Sequence, residues 1–205
     1  MYMPGYFKTS DMTLIHGIMR QHNFATLISQ SDKGPQISHV PLRFEPAHCG
    51  HGTLFGHLAK PNPHWRLWAT DNRVTVIFHG PHAYISPRWY ESAPDNVPTW
   101  NYCVVHARGE IEILSQESGA FDEIKALVSQ HDPDWPLVLS ERDRTAMMAG
   151  IVVFQIKIAD IEAKFKLSQN QPSANRDRVM VELANSVNSV DQETGRLMSL
   201  VAPKD

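Results

Sequence analysis

Polar and aromatic side chains concentrate in a few stretches of this chain, each suited to a different chemistry. Gly56-His57-Leu58-Ala59-Lys60-Pro61-Asn62-Pro63-His64-Trp65 runs from a strand end into a proline-marked helix start. His57, Lys60, Asn62 and His64 supply donors there. A helix N-terminus adds free backbone amides and a dipole that favours an anion such as a phosphate. The competing reading is a solvated loop that happens to contain a lysine. His79-Gly80-Pro81-His82-Ala83-Tyr84-Ile85-Ser86-Pro87-Arg88-Trp89-Tyr90 is a second such stretch. Tyr84, Trp89 and Tyr90 can cover a flat heteroaromatic ring, while Ser86 and Arg88 can bond carbonyl or phosphate oxygens. An aromatic core cluster beside a surface arginine would read the same way.

Two shorter stretches complete the set. In Val97-Pro98-Thr99-Trp100-Asn101-Tyr102, Asn101 offers a donor and an acceptor to a ring edge, or caps a turn. Lys164-Phe165-Lys166-Leu167-Ser168-Gln169-Asn170 follows the last strand, either closing over a ligand or tied back to the fold by Ser168 and Asn170.

Several chemistries lack their signatures. The chain has no G-x-G-x-x-G, no P-loop, no G-x-S-x-G elbow, no H-E-x-x-H and no CxxC pair. Among the eleven histidines, His48-Cys49-Gly50-His51 is the tightest cluster of soft ligands, but it sits in a glycine-containing turn and no metal site is expected. Cys49 and Cys103 form no disulfide framework and read as reduced thiols of a cytoplasmic protein. No signal peptide or long apolar span is visible. The net charge of −3 gives no global attraction to nucleic acid or to an anionic membrane.

These stretches must be positioned by a mainly β scaffold. Met12, Ile15, Ile18 and Met19 recur at helical spacing, predicting a helix over Asp11–Gln21. Short antiparallel strands are expected at Ala25–Ser29, Gln36–Phe44 and Thr53–His57. A helical turn begins near Pro61–Pro63. Val74–Phe78 reads as a central strand that turns at Gly80-Pro81, and His82–Ser86 as a separate extended piece. Tyr102–Leu114 is the longest strand candidate, with Glu110 and Glu112 alternating against Ile111 and Ile113. A helix around Phe121–Val128, another capped by Ser140, a last strand at Ile151–Ile158 and a final helix over Arg176–Val187 follow. About six strands, mostly sequential neighbours, argue for a small antiparallel barrel with peripheral helices. The division expected is a barrel domain over residues 1–165 and a loop and helical tail over 166–205.

In order along the chain, MYMPGYF, GHLAKPNPHW, FHGPHAYISPRWY, VPTWNY and KLSQN resemble the PaiB family of FMN-binding negative transcriptional regulators. The resemblance covers roughly Met1 to Arg178. It implies an α+β fold of the antiparallel split β-barrel type, similar to pyridoxamine-phosphate oxidase-like proteins, with FMN as cofactor. It also implies a homodimer with FMN at the subunit interface. On this resemblance Lys60 and Asn62, with His57 nearby and Arg43 adding charge, are phosphate-side candidates. His79, Tyr84, Ser86 and Trp89 are ring-side or partner-subunit candidates, and Asn101, Lys166, Gln169 and Asn170 are further cofactor candidates.

The resemblance implies a regulator, possible through DNA, a partner protein or a flavin redox response. Lys164, Lys166, Arg176 and Arg178 form the clustered basic stretch, which reads first as a solvated face rather than a nucleic-acid site. A flavin-dependent oxidoreductase acting on a small substrate is the alternative, with His79, His82 or Tyr84 as proton-handling candidates.

Overall fold

The computed structural model describes residues 1–91, 96–115 and 117–201. Residues 92–95, 116 and 202–205 lie outside the described residues. Among the described residues, five α-helices and eight strands follow one another as β1 (Lys8–Thr9), α1 (Met12–Gln21), β2 (Phe24–Ser31), β3 (Gly34–Pro41), β4 (Arg43–Glu45), β5 (Thr53–Ala59), β6 (Arg73–Ile85), β7 (Thr99–Ile113), α2 (Ala120–His131), α3 (Glu141–Ala149), β8 (Ile151–Lys166), α4 (Ser173–Ala184) and α5 (Ser189–Leu200).

The strands form one sheet in the order β3-β2-β6-β7-β8-β5-β4, with β1 on β8. The pairs β1–β8, β2–β3, β2–β6, β4–β5 and β5–β8 are antiparallel. This is the antiparallel architecture expected, with more and longer strands. Contacts gather the chain into two compact units. One comprises Met1–Ile18, His79–Val105 and Glu162–Asp205; the other comprises Met19–Phe78 and His106–Ile161.

In the second unit, strict alternation carries the core. On β5, Leu54, Gly56 and Leu58 are buried while Thr53, Phe55 and His57 are only partly covered. Gly56 is glycine because a Cβ there would sit 2.6 Å from the Leu42 side chain and 3.0 Å from the Phe154 ring. Ala120, Ile124 and Val153 form a smaller cluster under α2. In the first unit, Phe7, Ile85, Tyr90, Phe165, Leu167 and Leu183 are buried.

Three local expectations need correction. Gly80-Pro81 does not turn the chain: β6 runs unbroken from Arg73 to Ile85. Gly80 is there because a Cβ would lie 2.9 Å from the Cys103 Cβ. β2 pairs with Val74–Ile77, so Pro81 lies beyond the β2 ladder. The last strand also continues past Ile158 to Lys166, placing Lys164 and Lys166 on β8 rather than in a loop. The final helical region is two helices, α4 and α5, not one.

Candidate functional site

The loop after β5 is built around a buried imidazole. Asn62 caps the 3-10 turn Pro63–Ala69, its Oδ1 accepting from the His64 N–H at 3.0 Å. Its amide nitrogen donates to Ser38 Oγ at 3.1 Å. His64 is fully buried, with Nδ1 2.8 Å from Ser38 Oγ and Nε2 2.9 Å from Ser29 Oγ. The Trp68 indole N–H donates to the same Ser29 hydroxyl at 3.1 Å. Either neutral tautomer satisfies both ring nitrogens, one accepting from a serine hydroxyl and the other donating to the second. Burial pulls the His64 pKa below its ordinary value, which suits this neutral network. The polar residues Asn62 and His64 are therefore largely used in shaping the loop.

Lys60 and His57 differ. Lys60 is exposed, its ammonium lying 4.7 Å from the centre of the Trp65 ring. Among the described residues no carboxylate pairs with it. His57 lies on the partly covered face of β5, and its Nδ1 is buried with no hydrogen-bond partner among the described residues. Burial lowers its pKa as well. An orphaned buried nitrogen is costly unless something outside the chain serves it. Arg43 is already engaged: its guanidinium bonds Glu123 and Glu45 and lies 4.5 Å from the Phe55 ring centre. It holds α2 against β4 more plainly than it offers itself to an anion.

In the other unit, Tyr84, Trp89, Trp100 and His82 line a concavity of about 450 Å³ together with residues of the first turn of α5. Tyr84 and Trp100 are 48% and 53% exposed, so their rings face solvent rather than a core. They meet edge to face at 5.9 Å, and His82 lies 6.1 Å from Trp100. Ser86 caps the turn Pro87–Trp89, accepting from the Arg88 N–H at 3.3 Å. His79 is exposed on β6.

The remaining candidates form an internal knot. Asn101 is fully buried; its amide donates to Ser168 Oγ at 3.0 Å and its carbonyl accepts from that hydroxyl at 3.1 Å. Ser168 adopts a left-handed φ of 60° and also bonds the buried Tyr90 hydroxyl. Gln169 folds back, accepting from the Leu167 N–H and donating to the Phe165 carbonyl. Lys166 donates to Thr99 Oγ1 and the Trp100 carbonyl, both at 2.6 Å. Its pKa is lowered by burial and by the Lys164 charge. Asn170 is exposed. The Val97–Tyr102 and Lys164–Asn170 stretches thus meet each other, whatever else they touch.

The family described as "Putative FMN-binding domain" matches residues 1–160. The Bacillus subtilis protein named Protease synthase and sporulation protein PAI 2 is 35% identical over 203 residues, covering 97% of this chain and 96% of that protein. The chain belongs to the PaiB family of FMN-binding proteins. Two solved structures share its fold at low identity. The FAD and heme binding protein from Mycobacterium smegmatis has a TM-score of 0.62 at 15% identity, covering 78% of this chain and 73% of that one. The flavocytochrome Anf3 from Azotobacter vinelandii has a TM-score of 0.62 at 13% identity, covering 78% and 69%. The fold is accordingly the split-barrel, flavin-binding type, mainly β with peripheral helices, and FMN is the family's cofactor.

The residues present fit such a cofactor. An unpaired lysine and an orphaned imidazole nitrogen suit a phosphate, and solvent-facing aromatic rings suit a flat heterocycle. The α5 residues of the aromatic concavity went unread in the sequence. The Asn188 cap, accepting from the Val190 N–H at 3.0 Å, was the available signal. A larger concavity of about 750 Å³, lined by Trp65, Arg66, Thr70, Asn72, Glu112 and Lys157 among others, was also unforeseen. Among the described residues no cluster of His, Cys, Asp and Glu is placed to hold a metal, and no helix is long and apolar enough to cross a membrane.

Proposed function

We propose that the protein is an FMN-binding regulator of the PaiB type that works as a homodimer with FMN at the subunit interface. The observation that carries this reading is the 35% identity to the Bacillus subtilis protein over nearly the whole of both chains. In this reading Lys60 and His57 hold the phosphate, with Asn62 and Arg43 shaping their surroundings. Tyr84 and Trp89, with His79 and Ser86 nearby, present a surface to the ring. Asn101 and Lys166 support that surface by fixing the backbone around Trp100, Gln169 braces the adjoining backbone at Phe165 and Leu167, and the exposed Asn170 is left open to the ligand. Bound FMN supplies one- and two-electron chemistry, and the protein supplies binding, orientation and exclusion of water. A flavin redox response, read out through DNA or a partner protein in the cytoplasm, is the regulatory step proposed. The C-terminal tail from residue 166 packs on the barrel or on the partner subunit.

Titrating the purified chain with FMN while following flavin fluorescence tests the core of this. Quenching with a Kd at or below about the micromolar range is expected, equivalent to about −8 kcal/mol. Sedimentation should give a dimer. Specific DNA binding would weaken steeply with salt. Absence of FMN uptake would sink the flavin reading.

A further inference from the structure

We propose that the aromatic concavity on the β6–β7 side binds an organic ammonium ion of the methylated, choline-like class. Its walls are the Tyr84, Trp89 and Trp100 rings, with His82 beside Trp100. Tyr84 and Trp100 stand edge to face at 5.9 Å and remain about half exposed. Solvent-facing aromatic rings gathered around one hollow attract a cation through their electron-rich faces.

The charge of the lining points the same way. It includes one carboxylate, Asp191, and neither lysine nor arginine. Ser186 Oγ donates to Asp191 Oδ2 at 2.7 Å, which fixes the carboxylate's place on the first turn of α5. The positive end of that helix would repel a cation, but it is already served: Asn188 accepts from the Val190 N–H, and Asp191 places its negative charge on the same turn. An anionic ligand would meet Asp191 unfavourably. A neutral flat ligand would use the rings but gain nothing from the carboxylate. A methylated ammonium uses both, because its charge is spread over methyl groups that pack on rings without needing hydrogen bonds.

This proposal goes beyond the FMN reading while sharing Tyr84 and Trp89 with it, so the two ligands are tested on separate portions of one preparation. The full chain is first titrated with FMN, and uptake is read from flavin fluorescence. A parallel FMN-free portion is titrated calorimetrically with choline and, separately, with the neutral carbon isostere of choline in which a tert-butyl group replaces the trimethylammonium. Choline should bind roughly tenfold or more tightly than the isostere. Asp191→Asn keeps an acceptor for Ser186 but removes the charge. It should weaken choline by about tenfold while FMN uptake and urea midpoint stay unchanged. Normal FMN uptake with no choline binding, or with choline and isostere equal, overturns the ammonium site and leaves the flavin reading intact. Failure of FMN uptake sinks the flavin reading instead, and the choline comparison on the FMN-free portion still decides this one.

Discussion

The loop after β5 and the aromatic stretch of β6–β7 look alike as sequence, each dense in groups that bind ligands, but they dispose of those groups in opposite ways. In the β5 loop most polar atoms face inward. Asn62, His64, Ser29, Ser38 and Trp68 satisfy one another in a buried chain, while Lys60 stays exposed and the buried His57 Nδ1 has no partner among the described residues. In the aromatic stretch the order is reversed: Ser86 serves its own turn, while the Tyr84 and Trp100 rings stay open to solvent. Richness in polar residues therefore marks shape in one region, and richness in aromatics marks a solvent-exposed surface in the other.

The sharpest way to break that contrast is His64→Ala. It removes a buried ring and strands the Ser29, Ser38 and Trp68 groups, so folding stability should fall by about 3–5 kcal/mol. A urea midpoint that barely moves would show that the network is dispensable and that His64 belongs to the ligand instead. The neighbouring pair then separates the two roles within one loop. Asn62→Ala should cost about 1–2 kcal/mol of stability through the lost cap and the Ser38 bond. Lys60→Ala should leave stability alone and weaken FMN by about 1–2 kcal/mol, a five- to thirtyfold rise in Kd. The reverse pattern would exchange their assignments.

On the aromatic side, Tyr84→Leu together with Trp100→Leu should reduce FMN affinity by about 1 kcal/mol and leave the urea midpoint within experimental scatter. Both rings are near half exposed, so little core packing is lost. A large drop in stability with unchanged affinity would make them core residues after all.

The same contrast explains what was legible in the sequence. Strand alternation around Ile111 and helical spacing around Ile15 and Ile18 are local patterns, and the fold class followed from them. Gly80-Pro81 misled because its glycine answers a close approach by Cys103, a tertiary cause with the look of a turn. Likewise α5 was hidden by Gly195, a poor helix residue that is there because a Cβ would lie 3.2 Å from Leu183 on α4. The candidate residues were legible as a set but not by role. Nothing in the spacing of Asn101 and Ser168, 67 residues apart, announces that each is the other's hydrogen-bond partner.

The smallest expected effect bears on His57, an imidazole outside the His64 network. His57 and His64 are both held by burial below the ordinary value of 6.5. Below that value the unfolded chain takes up protons before the folded one does. Stability contributed by keeping these rings neutral is thus present above about pH 6.5 and is lost as pH falls toward the folded values. Urea midpoints measured from neutral to mildly acidic pH should decline, and more shallowly in His64→Gln. FMN adds a sign that His57 would supply. A phosphate beside Nδ1 would favour the charged ring and raise its pKa, so FMN binding would draw in a proton. FMN affinity should then rise modestly as pH falls just below neutral. His57→Gln should flatten that rise without abolishing binding. An affinity already flat in the parent protein would remove His57 from the phosphate end and leave Lys60 as its anchor.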